Sequence, residues 1–153
     1  MIQTLILPCL YAFWASVAFA VLFNIHGFGI VICGMGGALG WAAYLLTGFF
    51  SPSPIIQSFF AALVISAYAE LMSRLRKCPV TGYLLVAFFP LVPGGGIYYT
   101  MKYCMAGQTD LFYAKGMETL GIAGSLALGV LIVSSIFRLI ISYHDHKKRS
   151  IRP

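Results

Sequence analysis

Charge is what this sequence has least of. Lys and Arg number 10 and Asp and Glu only 4 in 153 residues, so 9% of the chain is charged while 60% is hydrophobic. A soluble domain carries about 25% charged residues because its surface faces water. A chain this poor in charge must turn most of its surface to lipid, which excludes a soluble globular domain and points to an integral membrane protein. The four cysteines, Cys9, Cys33, Cys78 and Cys104, contain no CxxC pair. They read as small apolar or interfacial residues and not as a disulfide or metal framework. No Ser/His/Asp set, phosphate-binding glycine loop or metal-ligand cluster is present, so an enzyme, a cofactor and a bound metal have nothing to rest on. The N-terminus also lacks a basic n-region and an A-x-A-like cleavage site, so the first apolar run reads as a retained helix.

What the chain does have is apolar runs. Five segments, at about 4–23, 28–49, 55–76, 80–105 and 119–143, each approach the ~20 residues that cross ~30 Å of hydrocarbon. The expectation is one all-α membrane domain over 1–146 with five transmembrane helices, followed by a basic tail at 147–153. Asn24, Ile25, His26 and Gly27 form a tight turn after the first span. Pro52 and Pro54 end the second and start the third, because proline suits a helix start. Cys78 and Pro79 close the third, and the polar stretch 106–118 reads as a loop.

The basic residues are clustered. Seven of the ten fall at 74–77 and 147–152, the pattern of cytoplasmic loops rather than of a nucleic-acid face. With five spans both clusters lie on one side, which places the N-terminus outside and the C-terminus in the cytoplasm. A four-span chain would separate them. The tail also suits anionic lipid head groups. His144, Asp145 and His146 read as a solvated juxtamembrane stretch, and His26 as a turn residue.

Three features stand out within the spans. Gly36 and Gly40 on the second span, and Gly121, Ser125 and Gly129 on the fifth, make small-xxx-small stripes for close helix packing. On the third, Ala62, Ser66, Glu70 and Arg74 recur every four residues and share one face. Glu70 is an acid inside a span, which costs roughly 2.5–3.5 kcal/mol near the membrane centre. It reads either as an ion pair with Arg74 or as a proton- or substrate-coupling carboxylate. Arg138 reads as a snorkelling residue or as a counter-charge.

The third feature is the fourth span, which Pro90, Pro93, Gly94, Gly95 and Gly96 break in its middle. Prolines remove backbone donors and glycines permit close backbone approach. Unpaired backbone at membrane depth is tolerated only inside protein or beside an aqueous cavity. Two half-helices around such a break are the device by which transporters present helix ends to substrate. Tyr98, Tyr99 and Thr100 add hydroxyls directly after it.

The runs FAVLFNI, AELMSRLRKCP and FPLVPGGGIYYTM resemble the small, YjjB-type membrane half of the bacterial threonine/serine exporter (ThrE-like) family, and the resemblance covers nearly the whole chain. It implies a subunit of a secondary transporter in the bacterial inner membrane, working as a hetero-oligomer with a larger multi-span subunit. The implied cargo is a small hydroxy amino acid or a small dicarboxylate. Two other expectations fit the same spans: a non-transporting assembly subunit, and a homo-oligomeric channel.

Overall fold

The computed structural model describes the backbone of residues 2–150 and the side chains of residues 5–140 and Tyr143. The helices are α1 (Ile2–Leu22), α2 (Gly29–Gly48), α3 (Pro54–Arg76), α4 (Val80–Phe88), α5 (Gly94–Met105) and α6 (Thr109–Ser150). No strand occurs among the described residues, and a 3-10 turn at Phe89–Leu91 follows α4. Local chemistry sets most boundaries. Asn24 and Gly27 take positive φ between α1 and α2. Extended Ser53 precedes α3 with Pro54 as its first residue, and Lys77 ends α3 in the left-handed conformation. Helix α1 begins early enough that Pro8 lies inside it, in the second turn.

Four helices are each long and apolar enough to cross a membrane, and α4 with α5 make a bent pair. At 1.5 Å per residue α4 is about 14 Å long and α5 about 18 Å, so neither is long enough to cross alone and the two together are. They meet at 53°, and both halves therefore advance in one direction.

Helix directions follow from the glycine contacts. Ala20 packs with Ile32 and Cys33 while Pro8 and Ala12 lie beside Trp41, so α1 and α2 are antiparallel. Gly36 meets Tyr68 and Gly40 meets Ile65, which makes α2 and α3 antiparallel. Gly29, Gly36 and Gly40 meet Tyr83, Ala87 and Leu91 in that order, so α4 runs parallel to α2. Gly121 meets Ile55, Gly129 meets Ala62, and the Phe137 ring lies 5.0 Å from the Arg74 guanidinium; α3 and α6 are thus parallel. Finally, Gly96 meets Thr119 and Gly116 meets Thr100, so α5 opposes α6. The chain passes back and forth five times, its fourth pass broken. Arg74 and Arg76 lie in the last turn of α3 and residues 147–149 in the last turns of α6, and the two parallel helices end on the same side of the bundle.

Helix α2 is the hub. Its glycines face three neighbours at once, so α1, α3 and α4 approach its backbone at distances that a Cβ would forbid. At Gly36 a Cβ would stand 2.9 Å from that of Ala87. Small residues do this because lipid offers no apolar driving force between helices, and van der Waals packing must supply it.

The stretch 106–118, expected as a loop, is mostly helix, since α6 starts at Thr109. The connection is residues 106–108, with Gly107 at φ 68. Asp110 lies in the first turn, where the helix dipole favours an acid. Lys115 pairs with Glu118 at 2.8 Å, and the Thr119 hydroxyl donates to the Lys115 carbonyl at 2.7 Å. These polar side chains are the surface of a helix that continues past the apolar run.

Candidate functional site

The break begins where Pro90 cannot donate to the helix. The 3-10 turn then swings Leu91 into the core, where it joins Ala61, Ala62, Ile65, Ala87 and Leu126. Phe89 turns the other way and stacks on Phe19 of α1 at 3.9 Å, with the rings 11° apart. Two anchors on opposite sides thus hold the turn. Because Leu91 packs with Ile65, near the centre of α3, and approaches Gly40, near the centre of α2, the break lies at mid-depth.

After Pro93 the chain starts again as a helix. The Gly94 N–H donates to the Val92 carbonyl at 2.7 Å and the Ile97 N–H to the Pro93 carbonyl at 3.0 Å. The N–H groups of Gly95 and Gly96 have no backbone partner among the described residues, as the first turn of any helix requires. The carbonyls of Pro90 and Leu91 likewise accept no hydrogen bond there. Gly94 and Gly95 are exposed, and a Cβ on either would meet nothing within 4 Å. Gly96 differs, because its Cβ would stand 2.6 Å from the Thr119 hydroxyl. The glycine run therefore has one residue for packing on α6 and two that open a window onto the outside of the chain.

Tyr98 and Tyr99 are exposed on α5, their ring centroids 5.4 Å apart. The Thr100 hydroxyl donates back to the Gly96 carbonyl at 2.8 Å, so it serves its own helix. Pro90 faces away from the window. With Pro8, Tyr11, Ala12, Ala15 and Trp41 it lines an open groove of about 250 Å³ between α1, α2 and the break.

Glu70 belongs to a different place. It is 9% exposed, and the Arg74 Nη2 donates to its Oε2 at 3.3 Å. Arg74 in turn lies over Phe137 of α6, which joins the parallel pair near its basic end. Glu70 is five residues past Ile65, about 7.5 Å along the axis from the level of the break. Arg138 is exposed, and the cation on Glu70 is Arg74. The side chains of His144, Asp145, His146 and the basic tail lie outside the described residues.

The packing residues are placed as follows. Gly121 meets Ile55 at 2.6 Å and Gly129 meets Ala62 at 2.6 Å, while the Ser125 hydroxyl donates to the Ile122 carbonyl at 2.8 Å. Three polar atoms are buried with no partner among the described residues: the hydroxyls of Ser16 and Ser66 and the indole nitrogen of Trp41. Sequence reasoning singled out neither Ser16 nor Trp41. A tryptophan in mid-span, away from the interfacial belt where the residue usually sits, was the available signal.

A family model described as Threonine/Serine exporter, ThrE, matches residues 8–136. No curated protein and no solved structure matches the chain. The match covers most of the sequence, and the chain belongs to this family.

Proposed function

From membership of the threonine/serine exporter family, we propose that this chain forms one side of a solute path, and that the broken fourth span is its lining. One observation carries the reading. At mid-depth the break leaves backbone groups unpaired beside a glycine window that none of the described residues covers. Lipid cannot satisfy such groups, so protein or water must lie against them.

The partner is a larger multi-span subunit of the same exporter type, and its helices close the window. The cargo is threonine, serine or a small dicarboxylate, whose carboxylate suits the positive end of α5. The basic clusters put the N-terminus outside and the C-terminus in the cytoplasm of a bacterial inner membrane. Glu70, close to the basic end, is the candidate coupling carboxylate.

Gly95→Leu tests the path. Since a Cβ at Gly95 meets none of the described residues within 4 Å, the variant should reach the membrane at the normal level and lose threonine export. Unchanged export would remove the break from the path.

A further inference from the structure

The outer parts of α5 and α6 stand apart from the rest of the bundle. Gly96 meets Thr119, and Gly121, two residues on, meets Ile55 in the first turn of α3. Because α6 runs parallel to α3, residues 109–118 of α6 project past the start of α3 by about 15 Å. Helix α5 runs antiparallel beside them, with Thr100 opposite Gly116. Together they make an arm at the end of the bundle opposite Arg74 and Arg76. Lys102, Asp110, Lys115 and Glu118 lie on this arm. So dense a run of charge belongs among head groups and water, not in hydrocarbon.

The arm nevertheless exposes large apolar side chains. Tyr98, Met101 and Met105 recur at helical spacing on α5, and with Lys102 and Ala106 they line an open groove. Met117 is exposed on α6. Tyrosine suits a membrane interface, but methionines standing outside the hydrocarbon call for a protein surface.

Charge complementarity identifies that surface. Lys115 pairs with Glu118. Lys102 and Asp110 are left exposed, opposite in sign and in no ion pair among the described residues. Since Thr100 lies opposite Gly116, Asp110 sits about 6 Å farther out along the arm than Lys102. A two-fold axis along the membrane normal keeps two copies at one depth, and a lysine stem spans such an offset. Each Lys102 then meets the Asp110 of the other copy, so the arm is complementary to itself. We propose that the α5–α6 arm is a homodimer interface, in which the apolar stripes pack together and two Lys102–Asp110 pairs fix the register. The contact lies beyond the glycine window and leaves Gly94 and Gly95 to the larger subunit.

Disulfide cross-linking of the full chain in cell membranes tests the arm. Met105 on the arm and Phe50, on the α2–α3 connection at the same end, are each 90% exposed. With Cys104→Ser as background, Met105→Cys should cross-link into a dimer at least tenfold faster than Phe50→Cys. Equal rates, or no dimer from either, would overturn the proposal. Lys102→Asp and Asp110→Lys each set like charges against one another, and each should slow the Met105→Cys cross-link about tenfold. Made together they reverse both pairs and should restore the original rate, which a misfolded chain would not do. If either single change leaves the rate unaltered, or the double variant stays slow, the pairing is wrong and the proposal falls. Export plays no part in this readout, so its failure leaves the path reading standing.

Discussion

Helices α3 and α5 are both glycine- or small-residue-marked, yet they meet their surroundings in opposite ways. Helix α3 buries Ser58, Ala61, Ala62, Ile65, Ser66, Ala69, Glu70 and Ser73 along one continuous face. Helix α5 buries no residue at all. Its only close glycine contact is that of Gly96 with Thr119, while Gly94 and Gly95 stand open. In a membrane, apolar side chains gain nothing by leaving lipid for protein, so burial follows shape and polarity rather than hydropathy. The α3 face is small and polar and has found its partners in α2, α4 and α6. The α5 face carries the exposed backbone of the break and has not. The contrast separates what this chain needs in order to fold from what it presents to something else.

The sharpest way to break that contrast is to put bulk into each surface in turn. Gly129→Leu drives a side chain against the Ala62 Cβ, 2.6 Å away, and the Phe59 carbonyl, 3.2 Å away. Backbone cannot give way as a side chain can, so a loss of about 3 kcal/mol or more is expected. A lowered denaturation midpoint in detergent would show it. Tyr68→Phe removes the phenol that donates to the Ile32 carbonyl at 3.1 Å and should cost about 1 kcal/mol by the same measurement. Glu70→Gln keeps an acceptor for Arg74 and should cost less than about 1 kcal/mol. Export that falls while that midpoint holds would assign the carboxylate's charge to coupling, and unchanged export would leave it as half of an ion pair. At the far end of the series, Gly95→Leu should move the midpoint by less than about 0.5 kcal/mol. A large destabilisation there would mean that the window is part of this chain's own core.

Much of the fold was legible before any helix was placed. Five apolar runs, the turn at Asn24 and Gly27, the proline start of α3 and the break after Phe89 all follow from hydropathy and local backbone chemistry. Polarity alone does not reveal the helical start at Thr109, where Asp110 and the Lys115–Glu118 pair mark a helix leaving the apolar layer. At the site, the break was visible and its division of labour was not. Nothing in the run of three glycines distinguishes Gly96, packed on α6, from Gly94 and Gly95, which are open. Trp41 and Ser16 were hidden for a related reason. An unpaired polar atom is a property of its neighbours, and their identity is set by which helix lies alongside.

The sequence by itself determined that the chain is a membrane protein built of apolar helices, and where one of its apolar runs breaks. Those properties depend on the transfer of residues into lipid and on the backbone limits of proline and glycine, both of which act within a few residues. Only the tertiary structure decided that α3 and α6 run side by side, that the break lies level with the middle of α2, and that α5, packed on α6, buries no residue of its own. Apolar helix faces are nearly equivalent to one another and to lipid, so the choice among them rests on close fit between backbones. That fit exists only once the helices are assembled.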